Sequence, residues 1–197
     1  ILLTRLGYLL SVADDEGFDP ELIQDLETLE AQTKRIGTIT QNLLRFGHQS
    51  PHSATKASLN DIVELTVSLL NHYAKQQNAQ FFLDLHENAQ AQMDSSAIEQ
   101  VCFNLVKNAL ESGASEVHIR TRPGLFSVED NGSGMTQATK ERIFDPFFTT
   151  KEIGKGSGLG LSVSYGIVER HGGQMRVRSQ MGQGTCFDVS LPQTGTP

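Results

Sequence analysis

Cysteine is scarce in this chain. Its 197 residues hold two, Cys102 and Cys186, with no CxxC spacing and no His cluster beside them. That excludes a disulfide scaffold and leaves two buried free thiols in a reducing compartment as the reading, with no role assigned to either. Long apolar runs are also missing: no stretch approaches the roughly 18 residues that a membrane span needs. The opening ILLTRLGYLL is too short for one and lacks a following cleavage signature. Positive charge is in deficit, with 16 Lys plus Arg against 23 Asp plus Glu and a formal charge of -7. Wrapping of nucleic acid and attachment to an anionic membrane therefore have no electrostatic support, and a phosphate ligand would have to be held locally. Against these absences stand 38% apolar and 20% charged residues, the composition of a chain that folds in water as one sizeable domain or as a domain with a helical appendage. The chain begins at Ile1 rather than Met, so further sequence is expected upstream. There is no internal repeat and no low-complexity tract.

Residues 1–48 read as two helices, the second entered through Asp19-Pro20. Along it Leu22, Leu26, Leu29, Thr33, Ile36, Leu43 and Phe46 recur at steps of three, four or seven, which makes an apolar stripe. A hairpin alone cannot cover such a stripe, so it must pack on the rest of the chain or on a second copy, and dimerisation through a four-helix bundle is the sharper expectation. The polar segment GHQSPHSATKAS marks a boundary, with residues 49–58 as linker. Beyond it the spacing predicts helices over 59–74, 97–110 and 161–170, and strands over 81–85, 116–121, 125–128, 175–178 and 185–191. Asp94, Ser95 and Ser96 are capping candidates for the second of these helices. The fold class expected is α+β, a two-layer sandwich of helices on a mostly antiparallel sheet, preceded by an antiparallel helical hairpin.

Four clusters in the second part could carry chemistry. Gln100, Asn104 and Asn108 stand four residues apart on one helix face, beside an apolar face made by Val101, Leu105 and Ala109. Three amides in line are also what a solvated helix face looks like. Asn is nevertheless a poor helix former, and two of them inside NLVKNA cost stability unless their side chains have work. An amide oxygen suits Mg²⁺, a hard cation that prefers oxygen. Next, Asp130-Asn131-Gly132-Ser133-Gly134-Met135 follows a strand. Such a sequence is most often a turn, but the two glycines would let backbone approach a flat ligand, and the Asp carboxylate can only accept hydrogen bonds. An acceptor there suits the amine of adenine and opposes the carbonyl of guanine.

The third cluster, Ile143 to Lys151, packs three of the ten phenylalanines into five residues, which is equally the mark of a core corner set by Pro146. The fourth, GKGSGLGL from Gly154 to Leu161, leads directly into a helix. Backbone N–H groups exposed there, together with the helix dipole, make a plausible phosphate cradle or else a flexible linker. It has neither Walker spacing nor a preceding strand, so a P-loop or dinucleotide fold is unsupported.

As an ordered set, NLVKNA, DNGSGM, FDPFFTTK, GKGSGLGLS and GQGT resemble the N, G1, F, G2 and G3 boxes of sensor histidine kinases, within the superfamily that also holds gyrase and the mismatch-repair ATPases. The match spans about Asp94 to Leu191. The resemblance implies the histidine-kinase and gyrase-type ATPase fold, with ATP and Mg²⁺ as cofactors. By it, Asn108 binds the metal and Asn104 lies by the phosphates. Asp130 holds the adenine amine, Gly132 and Gly134 line the base, and Thr185 closes the adenine side. Gly156, Gly158, Leu159 and Gly160 approach the phosphates, and Met135 to Ser157 forms a mobile lid anchored by Phe144 and Phe148. Residues 1–48 are similar to part of the dimerisation and phosphotransfer hairpin of the same kinases, and 59–197 to their catalytic domain. Implied partners are a second copy, through the hairpin, and the receiver domain of a response regulator. The implied location is cytoplasmic, the parent protein being free to carry a membrane anchor.

Two features depart from the family pattern. Glu111 stands where many of these kinases carry a basic residue, as in the branch resembling nitrogen-regulation sensors, and neither Lys107 nor Glu111 is counted as a ligand. No His occurs between Ile1 and Phe46, so the phosphoacceptor is expected upstream of Ile1. His48, His52, His72, His86, His118 and His171 are expected at surfaces or in turns. Two other classes match less well. A gyrase-type clamp that hydrolyses ATP would carry Glu where this chain has Asn104, whose amide is no base at neutral pH. A non-enzymatic phosphotransfer scaffold is opposed by intact Asn108, Asp130 and glycine loops.

Overall fold

The computed structural model describes residues 2–13, 18–47, 54–152 and 156–193. The chain divides into two compact units, one of residues 1–49 with 149–159 and the other of residues 50–148 with 160–197. The first is built on helices α1 (Leu2–Val12) and α2 (Pro20–Gly47), which pack on each other. The second holds β1 (Thr55–Ser58), α3 (Leu59–Gln76), β2 (Gln80–Leu85), β3 (Gln90–Met93), α4 (Ser95–Glu111), β4 (Glu116–Arg122), β5 (Leu125–Asp130), α5 (Gln137–Lys140), α6 (Gly160–Arg170), β6 (Gln174–Gln180) and β7 (Gly184–Ser190). Among the described residues no helix is long and apolar enough to cross a membrane.

In the first unit Leu6, Ala13 and Leu26 are buried, whereas Leu3, Tyr8, Leu9, Leu22 and Leu29 are exposed. The predicted stripe thus splits, with Leu26 buried and Leu22 and Leu29 facing solvent. The side chains of Ile36, Leu43 and Phe46 lie outside the described residues, as do His48 and His52.

In the second unit a five-stranded sheet runs in the order β2-β4-β5-β7-β6. Only the β2–β4 pair is parallel, because the chain crosses over between those strands through β3 and α4. Period-two alternation sets the two faces. On β4, Val117, Ile119 and Thr121 are buried while Glu116 and Arg122 are exposed, and on β5 the residues Phe126, Val128 and Asp130 share the buried face. Helices α3, α4 and α6 pack against this sheet and each other, so the two-layer α+β expectation holds. Arg122–Asp84 at 2.8 Å and Arg178–Asp188 at 3.0 Å are pairs on the solvated surface, where screening by water leaves them little net effect on stability.

Helix ends follow local rules. Asp94 caps α4 as predicted, its Oδ1 accepting from the Ser96 N–H at 3.0 Å and the Ala97 N–H at 3.4 Å. Ser58 caps α3 by accepting from the Asp61 N–H at 3.2 Å. His171 sits in the turn after α6, half-buried and engaged through both ring nitrogens. Nε2 accepts from the Asp94 N–H at 3.1 Å while Nδ1 faces the Ile167 carbonyl at 2.8 Å, which fixes the tautomer that carries its proton on Nδ1. The end of α6 is thereby tied to the start of α4.

Two strands and one short helix had no counterpart in the sequence reading. Thr55–Ser58, within the stretch expected as linker, forms β1 and pairs with β3 in a separate two-stranded antiparallel sheet. Neither TKAS nor QAQM has an alternation long enough to announce a strand, and their pairing depends on partners 30 to 40 residues apart. Helix α5 is a single turn, capped by the Thr136 Oγ1 that accepts from the Thr139 N–H at 3.1 Å.

Candidate functional site

Asp130 ends β5, and alternation with Phe126 and Val128 turns its carboxylate inward, beneath the C-terminal end of α4. The residue is 6% exposed. Its Oδ1 accepts from the Gly132 N–H at 2.9 Å and faces the Ser112 hydroxyl at 3.2 Å. The Thr185 N–H, its register partner on β7, also donates to this carboxylate. Burial pushes the carboxyl above its ordinary range, the donors from Gly132, Ser112 and Thr185 pull it back, and Glu129 adds to the rise. The outcome is a desolvated acceptor whose Oδ1 faces both Gly132 and Ser112.

The turn after Asp130 is tightly built. The Asn131 Oδ1 accepts from the Ser115 and Glu116 N–H groups at 2.9 and 3.0 Å, so this side chain braces the entrance of β4. A Cβ on Gly132 would lie 1.8 Å from the Ser112 Oγ, and one on Gly134, at φ +64, would lie 1.9 Å from the Gln180 carbonyl oxygen. The protein's own packing therefore requires both glycines, a reason apart from the ligand approach that the sequence suggested. Thr185 is buried, with its Oγ1 2.9 Å from the Ser179 Oγ.

On α4 the apolar face buries Ile98, Val101, Leu105, Val106 and Ala109, and leaves Gln100, Asn104 and Asn108 half-buried along one side. Asn104 is committed: its Nδ2 donates to the Gly160 carbonyl and to the Ser164 Oγ, both at 3.2 Å, while the fully buried Ser164 hydroxyl donates to the same carbonyl at 2.8 Å. Its side-chain oxygen is the acceptor left for a ligand. Asn108, one turn on, presents the type of oxygen that Mg²⁺ takes, and it belongs to a face that Asn104 ties to the first turn of α6. This donor set fits a magnesium ion that also binds phosphate oxygens.

The phenylalanine-rich segment is not a single core corner. Ile143 is buried, Phe144 packs on Tyr165 of α6 with centroids 4.8 Å apart, and Phe148 lies beneath Arg142, whose guanidinium carbon is 4.4 Å from the ring centre. Phe147 departs from both, at φ 68 and 61% exposed. Pro146 is exposed as well, so the alternative of a core corner set by Pro146 does not hold.

The glycine-rich segment up to Leu159 belongs to the other compact unit. Within it the Thr149 Oγ1 accepts from the Lys151 N–H at 3.2 Å and the Ser157 Oγ accepts from the Leu159 N–H at 3.3 Å. A Cβ on Gly156 would lie 2.8 Å from the Thr149 Oγ1, and Gly158 has φ +67. Gly154 and Lys155 lie outside the described residues. Four contributors escaped the sequence reading: Ser112, Ser164, Tyr165 and Arg142. Ser112 had a signal, because it is the next step of four after Asn104 and Asn108 on the amide face. The others gave none.

Residues 93–195 match the family described as histidine kinase-, DNA gyrase B-, and HSP90-like ATPase. The chain is 35% identical over 172 residues to sporulation kinase E of Bacillus subtilis (strain 168), covering 83% of this chain and 23% of that protein. The chain spans about a quarter of the length of the curated relatives it matches. Among solved structures, the catalytic domain of histidine kinase ThkA is similar at a TM-score of 0.62 and 30% identity, covering 71% of this chain and 95% of that one. ThkA solved in complex with the response regulator protein TrrA is similar at 0.71 and 26%, covering 98% and 58%.

The buried carboxylate generates a stability test. A folded-state pKa above the unfolded value of about 3.9 means that the folded chain binds the extra proton in the window between the two, and stability is lost as pH rises through it. Asp130→Asn removes that loss. Thermal unfolding of the ligand-free chain from about pH 4 to about pH 8 is expected to show the variant at least as stable as the parent at neutral pH, with the gap closing toward acid. A variant clearly less stable than the parent at neutral pH would contradict this account of the site.

Proposed function

Because the chain belongs to the sensor histidine kinases, within the family of histidine kinase-, DNA gyrase B- and HSP90-like ATPases, we propose that it binds Mg-ATP and that the whole protein transfers the γ-phosphoryl group to a histidine of its helical hairpin, for relay to an aspartate of a response regulator. The observation that carries the reading is Asp130, a buried acceptor at a strand end whose Oδ1 faces Gly132 and Ser112. We assign residues 1–48 to part of the dimerisation and phosphotransfer hairpin, 49–58 to the linker with β1 at its end, and 59–197 to the catalytic domain, in a cytoplasmic part of the protein.

In this reading Asp130 accepts the 6-amino group of adenine, Gly132 and Gly134 line the base, and Thr185 closes that side. Asn108 would hold the magnesium ion, which would supply neutralisation of phosphate charge. The Asn104 oxygen lies by the phosphates while its amino group holds Gly160. Gly156, Gly158 and Leu159 belong to the phosphate loop, and Phe144 and Phe148 anchor its approach. Catalysis is positioning and charge neutralisation. A water-activating clamp of the gyrase type is disfavoured, because the position that would carry its Glu is Asn104, already donating to Gly160 and Ser164. For the hairpin, the exposed Leu22 and Leu29 on α2, with Leu3, Tyr8 and Leu9 on α1, support pairing with a second copy.

Calorimetry with magnesium present is expected to give ATP an affinity at least about tenfold above GTP, since Asp130 opposes the guanine carbonyl. Asn108→Ala is expected to abolish most of the magnesium dependence. Equal ATP and GTP affinities would sink the adenine assignment, and unchanged magnesium dependence would acquit Asn108.

Light scattering at high micromolar concentration is expected to find the chain dimeric and residues 51–197 monomeric. A monomeric whole chain would remove the second copy as the cover of the hairpin.

With no His between Ile1 and Phe46, the chain is expected to load ATP with little turnover and no stable self-phosphorylation. Incubation with labelled ATP followed by acid and alkali treatment checks this. Substantial label that is lost in acid and survives base would refute it and point first to His48 or His52.

A further inference from the structure

Ser112 belongs to none of the boxes that carry the family resemblance, yet it touches the buried carboxylate directly. It is the C-cap of α4, and its N–H donates to the Ala109 carbonyl at 3.2 Å. Its hydroxyl lies 2.7 Å from that same carbonyl and 3.2 Å from the Asp130 Oδ1. A hydroxyl has one proton, and the carbonyl already has the Ser112 N–H, so the proton can turn to the carboxylate without orphaning the helix end. The Ser112 carbonyl accepts from the Ser133 N–H at 3.1 Å, and the Oγ fills the place that a Cβ on Gly132 would need. One residue thus fixes the turn at its acid, at its glycine and at its backbone, and it does so from the helix that bears Asn104 and Asn108.

We propose that Ser112 is a positioning and specificity-determining residue of the adenine subsite, supporting Oδ1 of Asp130 by hydrogen bond beside the Gly132 N–H so that the side chain is held as an acceptor. This rests on the ATP-binding reading given above. The groups that face the carboxylate are Glu129 from its own strand, the Thr185 N–H from β7, the Gly132 N–H from the turn and Ser112 from α4. Among the three donors Ser112 alone acts through a side chain, so it is the one a substitution can remove. Without it, burial and Glu129 face two donors instead of three. The carboxyl then takes a proton more readily, and a protonated Asp130 donates, which suits a carbonyl better than an amine.

The test measures ATP and GTP affinity against pH, with magnesium, for the whole chain and for Ser112→Ala, Ser112→Thr and Asp130→Asn. Titration of the nucleotide phosphates is common to all and cancels in ratios to Asp130→Asn. Ser112→Ala is expected to bind ATP about tenfold more weakly at neutral pH, the value of a hydrogen bond to a charged group. It should also lose affinity at a higher pH than the parent does and show a reduced preference for ATP over GTP, while Ser112→Thr, which keeps the hydroxyl, recovers all three. A Ser112→Ala chain with the parent's acid limb and the parent's nucleotide preference overturns the proposal, whatever its stability. If Asp130→Asn itself keeps the parent's affinity and acid limb, the adenine assignment has failed. If Asp130→Asn loses that limb and Ser112→Ala does not move it, the Ser112 proposal alone has failed.

Discussion

A carboxylate held out of water at the end of β5 constrains most of what surrounds it. Burying a charge costs several kcal/mol unless hydrogen bonds replace its hydration, and Asp130 recovers only part of that cost, from a turn, a helix end and a neighbouring strand at once. The turn must bring the Gly132 N–H within 2.9 Å, which forces its backbone so close to Ser112 that no side chain fits. The neighbouring strand must place Thr185 opposite Asp130, and residue 184 before it must be glycine, since a Cβ there would lie 1.8 Å from the Asp130 carbonyl oxygen. The acid is thus the point where β5, β7 and α4 are brought into register.

A second constraint joins α4 to α6. At one end the Asn104 amide holds the Gly160 carbonyl and the Ser164 hydroxyl, and at the other His171 bridges Ile167 to Asp94. Two polar clasps at opposite ends of a helix pair limit sliding along the common axis, which apolar packing alone permits more readily. This matters for chemistry because Asn108 shares its helix face with Asn104. The Asn104 amide nitrogen is spent on this contact, donating to both Gly160 and Ser164.

The aromatic residues after α5 show how one motif serves separate purposes. Phe144 is fastened to Tyr165, Phe148 is covered by Arg142, and Phe147 stands exposed in the left-handed region that a bulky side chain rarely adopts. Phe144 and Phe148 thereby tie the segment that ends this unit at residue 148. The free thiols take no part. Burial pushes Cys102 up to about 12 and Cys186 up to about 11, which leaves both protonated and unreactive at neutral pH.

Much of this was legible in the sequence because it depends on local rules. The helices expected over 59–74 and 97–110, found at 59–76 and 95–111, follow from apolar periodicity, and the Asp94 cap from residue type, whereas β5 runs two residues past its expected end and so brings Asp130 into alternation with Phe126 and Val128. The amide face at 100, 104 and 108 is fixed by helical geometry alone. What only the tertiary structure decided are contacts between residues far apart in the chain: Ser112 on Asp130, Asn104 on Gly160, His171 on Asp94, and β1 on β3. Each depends on where one finished element meets another. The two glycines after Asp130 sit on the dividing line, since their positions are visible in the sequence while the reason for them, Ser112 and Gln180 pressed against the backbone, exists only once α4 and β6 have packed beside the turn.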